Sequence, residues 1–300
     1  MKTNENNLYK TCIFHELDDG TLKIILNEFA GKKPTTNEID QIQNYPNQKK
    51  LTLSCMQKGL TQELFNYLIS NYARQFEEIE LWGIKLISDL SLLSELKQLK
   101  KITLYHNQRN TCLWDQSKNT LLESLEFRDF TRIKTFKNIK FAPKLKNLTF
   151  GNYIHSTFII DSLKPLVNLK TLKTLSFNFK KIINDGIQPL TKMGHLQEIN
   201  FPPGSFETEE IAWLKSKLKG KSRRKMYNGT TNPKMLEGIS KNVLIVGKRK
   251  PNLSSTQVLK IKSYEDKFDK MIIWYTENPK AEFHEYPPYL KKKKPTSNTR

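Results

Sequence analysis

No stretch of this chain approaches the roughly 18 consecutive apolar residues that a membrane-spanning helix needs, so no membrane insertion is expected. Cysteine is sparse: Cys12, Cys55 and Cys112 lie far apart, with no C-x-x-C pair. That spacing offers neither a disulfide framework nor a zinc ribbon, and it reads as reduced thiols in a cytoplasmic protein. Met1 to Lys10 is polar and has no apolar core, so no secretory signal is expected. Motifs of chemistry are missing as well. His15-Glu16 starts like H-E-x-x-H, but Asp19 stands where the second histidine belongs. There is no G-x-S-x-G elbow and no G-x-x-x-x-G-K-[ST] phosphate loop, and the five histidines are scattered. These absences point away from an enzyme and predict no metal site and no cofactor.

Acidic residues are also few, 30 against 50 Lys and Arg, and the imbalance is local. From Lys215 to Arg300 there are 22 basic and 7 acidic residues, a net +15; the first 214 residues hold 28 and 23, a net +5. A nearly balanced body is thus followed by a strongly basic end. Hydrophobic residues make up 37% of the chain, enough for a core but below the usual globular share.

What the chain does have is a repeat. Seven short segments alternate apolar and polar residues. They begin at Leu51 (LTLSC), Ile79 (IELWG), Ile102 (ITLYH), Leu125 (LEFRD), Leu148 (LTFGN), Leu175 (LSFNF) and Ile199 (INFPP). The starts are 28, 23, 23, 23, 27 and 24 residues apart. Most are preceded by leucines at spacing three, as in Leu96-x-x-Leu99-x-x-Ile102-x-Leu104 and Leu169-x-x-Leu172-x-x-Leu175-x-Phe177. Spacing three followed by spacing two suits a turn that brings one leucine inward and then a strand with every second side chain inward. Amphipathic helices with chance leucines are the competing reading; Thr, Phe and Ile in the alternating segments favour strands.

From Leu51 to Leu218 this pattern resembles the leucine-rich-repeat family. The resemblance implies an α/β solenoid, with a curved parallel sheet on the concave side and helices and loops on the convex side. Members often carry an asparagine at a fixed place after the strand. Asn107, three residues after Leu104, fits that place, whereas Phe130 and Lys180 stand at the corresponding positions of other repeats. The predicted organisation is a flanking and capping region 1–50, a solenoid 51–218, and an appendix 219–300. Leu22 to Phe29 predicts a strand or hairpin after Asp19-Gly20, and TTNEIDQIQNY from Thr35 a short helix. Thr208, followed by Glu209 and Glu210 and then lysines, predicts a threonine-capped closing helix. In the appendix, Val243 to Val246 predicts a strand and Thr256 to Tyr275 a helix. The terminal YPPYLKKKKPTSNTR is predicted to be disordered, with Lys291 to Arg300 dispensable for folding. Gly247-Lys248 carries a weak phosphate signal, against which stands a plain turn with solvated lysines.

If the repeat reading holds, the polar strand residues face the concave side. One column runs Thr52, Glu80, Thr103, Glu126, Thr149, Ser176 and Asn200. The next runs Ser54, Trp82, Tyr105, Arg128, then Asn152 or Gly151, then Asn178 and Pro202. Aromatic residues and arginine are the types enriched in interface hot spots. Glu80, Trp82, Thr103, Tyr105, Glu126, Arg128, Asn152 and Asn178 are therefore the candidate partner-binding residues, with Trp82 and Tyr105 simply packing against a cap or each other as the other reading. The resulting expectation is a non-enzymatic scaffold that binds an unidentified protein partner. The alternative is binding of nucleic acid or another acidic surface by the basic end.

Overall fold

A computed structural model describes residues 10–56, 59–153, 157–231 and 238–290. The chain is a mixed α/β protein with a large, mostly parallel sheet. It divides into two compact units, Met1–Asn184 and Asp185–Arg300. Among the described residues no helix is long and apolar enough to cross a membrane.

In the first unit a hairpin of β1 (Cys12–Glu16) and β2 (Thr21–Leu26) opens the sheet. Strands β3 (Lys50–Cys55), β4 (Glu78–Trp82), β5 (Lys101–Asn107), β6 (Ser124–Phe130) and β7 (Asn147–Gly151) follow in sequence order. Two residues at Ile159–Ile160 (β8) pair with Lys181–Ile182 (β10) in a separate parallel ladder, and β9 (Thr174–Asn178) lies next to β7 in the main sheet. From β2 to β9 every pairing in the main sheet is parallel, with Leu22, Leu51, Ile79, Ile102, Leu125, Leu148 and Leu175 in one register line. Six of the seven predicted segments are thus consecutive parallel strands. The N-terminal flank is more than a cap, because β2 extends the parallel array and β1 ends it antiparallel.

The spacing of three has a direct structural counterpart. The linkers before the strands turn through i to i+3 backbone bonds, Leu93 N–H to Leu90, Leu96 to Leu93 and Leu99 to Leu96. With three residues per turn, side chains at i and i+3 eclipse. Leu90, Leu93, Leu96 and Leu99 therefore fall on one side, and all four are buried. Most linkers are short 3-10 turns such as Ser91–Glu95 and Lys164–Asn168. Among the described residues of this unit only α2 (Gln62–Asn71) is a full α-helix; α1 (Thr36–Ile39) is a single turn closed by a Thr35–Glu38 capping box.

The core lies between the linkers and one face of the sheet. Its second register line runs Leu53, Leu81, Leu104, Phe127, Phe150 and Phe177. The three phenylalanines form a continuous stack, Phe127 to Phe150 at 5.9 Å and Phe150 to Phe177 at 5.8 Å between ring centroids. Where strands begin, a charge ladder runs Glu77, Lys100, Glu123, Lys146, with ion pairs of 2.6 Å (Lys100–Glu77) and 2.5 Å (Lys146–Glu123). These pairs are exposed and contribute little to stability.

The second unit holds β11 (Glu198–Asn200), α3 (Thr208–Lys217), the single turn α4 (Lys221–Arg224), the antiparallel pair β12 (Val243–Leu244) and β13 (Asn252–Leu253), α5 (Val258–Glu277) and α6 (Pro287–Leu290). The boundary expected at residue 218 falls inside it. Helix α3 packs against α5, and the indole N–H of Trp213 donates to the Ala281 carbonyl at 2.9 Å. Residues 258–281 therefore belong to the fold of this unit and do not hang from it. The helix cap also differs from expectation. Glu207 is the N-cap residue, and Thr208 is buried one place further on, its hydroxyl donating to the Val246 carbonyl at 2.8 Å. The predicted disorder stops short of residues 287–290, which form α6. Lys291 to Arg300 lie outside the described residues.

Candidate functional site

The side of the first unit's sheet that faces away from the core carries the predicted columns. Backbone register places Thr52, Glu80, Thr103, Glu126, Thr149 and Ser176 in one line. The next line is Ser54, Trp82, Tyr105, Arg128, Gly151 and Asn178. Trp82, Tyr105 and Arg128 are thus neighbours across three strands. The rings of Trp82 and Tyr105 stack with centroids 3.7 Å apart and planes at 20°.

Two carboxylates hold this group. The Trp82 indole N–H donates to Glu80. The Tyr105 hydroxyl donates to Glu126 Oε1 at 3.0 Å, and Arg128 Nε reaches the same oxygen at 2.5 Å. Burial, reinforced by the Glu126 charge, pushes the Tyr105 phenol well above its ordinary pKa, so it stays a hydrogen-bond donor.

The structure adds residues that strand alternation could not supply. Tyr153 follows β7 in a loop, yet its ring packs edge-on against Trp82 (6.0 Å) and Tyr105 (5.9 Å), and the Arg128 guanidinium sits 5.8 Å from its centroid. It is 52% exposed, the most accessible ring of the group. Its backbone N–H donates to Asp129 Oδ1 at 3.1 Å, while Asp129 Oδ2 lies 3.3 Å from His106 Nδ1. His106 itself is 6.0 Å from Trp82. At the ends of successive strands Gly83, His106 and Asp129 all have φ near +60 to +76°. In β5 and β6 this kink falls one residue before the strand ends, where the ladder resumes at Asn107 and Phe130, and it sets His106 beside the rings.

Three candidates are placed differently from expectation. Gly151, not Asn152, occupies the column; it has φ +111°, and a Cβ there would collide with the Asn178 carbonyl oxygen. Asn152 is buried in the loop, its amide donating to Asp129 Oδ1 at 2.9 Å and its oxygen accepting from the Thr157 and Phe158 N–H groups. Thr103 and Tyr105 are 5% and 7% exposed, so they support the surface more than they present it. Asn178 keeps its column place and donates to the Asn152 carbonyl at 3.2 Å. The accessible part of the group is Trp82, Tyr153, Arg128, Glu80 and Glu126.

Among the described residues no three His, Cys, Asp or Glu side chains come together to hold a metal ion. Cys12 and Cys55 are held as thiols, both pushed up to about 12 chiefly by burial. No family model matches the chain, and no curated protein matches it.

Proposed function

We propose that the chain is a non-enzymatic scaffold of the leucine-rich-repeat type that binds a protein partner through the open face of the first unit's sheet. The observation that carries this reading is the aromatic platform. Trp82, Tyr105 and Tyr153, with Arg128, form a pre-assembled group in the middle of a mostly polar face. Rigid aromatics with few rotatable bonds contribute contact area at low entropic cost. The carboxylates of Glu80 and Glu126 keep lone pairs free beyond the bonds they make within the group. The fitting partner is therefore a protein segment that lays an apolar or aromatic side chain on Trp82 and Tyr153 and brings a lysine or arginine to the two glutamates.

The test is a titration calorimetry series with the captured partner. Trp82→Ala, Tyr153→Ala and Arg128→Ala are each expected to weaken binding at least tenfold, about 1.4 kcal/mol. Circular dichroism of the variants should stay that of the parent. Parent-like affinity in all three variants would remove the sheet face from the interface and end this reading.

A further inference from the structure

The second unit carries a cationic surface of a different kind from anything in the first. Eight ion pairs lie within the first unit. In the second, Lys219, Lys221, Arg223, Arg224 and Lys225 are exposed on and around α4, and among the described residues no carboxylate lies within 4.0 Å of any of them. Five cations within seven residues repel one another, and the fold leaves this repulsion uncompensated. The neighbouring lysines are used differently. Lys215 Nζ donates to the Tyr227 carbonyl and Lys217 Nζ to that of Pro279, both at 2.6 Å.

This cationic segment borders an apolar recess of about 580 Å3. Lys225 is part of its rim, and its walls include Phe201, Pro202, Pro203, Met226, Tyr227 and Leu244. Phe201 and Tyr227 meet edge to face at 5.3 Å, and Tyr227 is anchored by its hydroxyl, which donates to the Phe201 carbonyl. Asn228, Thr230 and Thr231 add polar groups to the lining. The volume lies within the roughly 300 to 1,000 Å3 of small-ligand pockets. A second basic element is fastened to the same wall. In the turn between β12 and β13 the Gly247 N–H donates to the Pro203 carbonyl and the Lys248 N–H to that of Phe206, both at 2.8 Å. Those amides are used, so the turn does not cradle a phosphate with its backbone; it presents the exposed side chains of Lys248 and Arg249.

From this juxtaposition we infer that the second unit binds single-stranded nucleic acid, with a base in the recess beside Tyr227 and the backbone phosphates along Lys219 to Lys225. Unpaired cations bind phosphates by releasing counterions, and an aromatic-walled recess takes an unstacked base, which a duplex does not present. A membrane surface would use the cations but not a walled recess of this size. The inference is independent of the sheet-face reading.

The test uses the full chain and a fluorescein-labelled 15-nucleotide oligothymidylate, followed by anisotropy at several salt concentrations. Three probes accompany it: an abasic oligomer of equal length, a duplex of equal length, and vesicles of phosphatidylserine and phosphatidylcholine. Tight binding of the oligothymidylate is expected, at least tenfold tighter than the abasic oligomer. The double variant Arg223→Gln/Arg224→Gln should bind it at least tenfold more weakly, with the log–log salt slope shallower by roughly 1.4, about 0.7 for each phosphate that is no longer neutralised. Both side chains are exposed, so the variant should keep the parent's circular dichroism, and it retains Lys291 to Lys294, so any loss belongs to the α4 segment. Equal affinity for abasic and thymidylate oligomers would overturn the inference. So would parent-like binding by the double variant, a preference for duplex or vesicles, or no binding at low salt.

Discussion

Replacing Phe150 by alanine is expected to lower the stability of the first unit by about 3 to 5 kcal/mol, the cost of a large aromatic cavity in a core that cannot collapse around it. Phe150 has no exposed surface and sits at the centre of the phenylalanine stack. Besides Phe127 and Phe177 on the neighbouring strands, it meets Phe136 edge-on at 4.9 Å and Phe158 at 6.1 Å. Its loss would remove one ring contact from each of these four, and each such pair contributes about 0.5 to 1.5 kcal/mol beyond the area it buries. Leu148→Ala, in the adjacent register line, should cost about 2 to 5 kcal/mol. Thr149→Ala, between the two but on the open face, should stay within about 0.5 kcal/mol. Urea melts followed by the fluorescence of Trp82 and Trp114 read all three. Because side chains alternate with period two, a larger loss at 149 than at 150 would mean that the strand is one residue out of register.

Asn107→Ala should be comparably damaging, about 3 to 5 kcal/mol, although it removes few atoms. Asn107 is fully buried, and its amide donates to the carbonyls of Ile84 at 3.0 Å and Ile87 at 2.8 Å, in the preceding repeat. Its oxygen accepts from the N–H groups of Arg109 at 3.0 Å and Asn110 at 2.8 Å. One side chain thus satisfies the backbone of two successive turns. Alanine would leave the N–H groups of Arg109 and Asn110 without their acceptor, at about 1 to 3 kcal/mol each, while the Ile84 carbonyl keeps only the Ile87 N–H at 3.3 Å and Ile87 keeps the amide of Asn110 at 2.8 Å. Hydrogen exchange offers a second readout: the Arg109 and Asn110 amides should lose their protection first. Unchanged protection at both would show that water or another group takes over the role.

The asparagine ladder that Asn107 suggests is carried further by other residues, and this is where the sequence is hardest to read. At the aligned place in β6 stands Phe130, which joins the core against Phe127 instead. The equivalent backbone needs are met elsewhere in the repeat. Asn119 donates to the Leu93 and Leu96 carbonyls, and Gln98 to those of Ala73 and Phe76. No fixed offset from the strand points to Asn119 or Gln98, since what recruits them is a turn carbonyl with an acceptor lone pair to spare, 22 to 26 residues earlier in the chain.

The strand positions, their parallel order and the residues that share a face follow from the sequence by itself. Alternation with period two states which side chains point together, and a near-constant repeat length lets each strand meet the next in the same register. Trp82, Tyr105 and Arg128 had to be neighbours once that register was set. Tertiary structure alone decided the rest. Tyr153 joins the platform because Asp129, 24 residues earlier, holds its backbone. Asn152 turns inward because the left-handed backbone of Gly151 ends the alternation one residue before it. The second unit keeps its own core because Phe268, Met271, Ile272 and Tyr275 of α5 are buried, and α5 packs on α3 some fifty residues away. Periodicity is a local property and specifies only which face a residue takes. Where the period stops, a side chain's place depends on the hydrogen bonds and packing supplied by distant segments, which no short stretch of sequence contains.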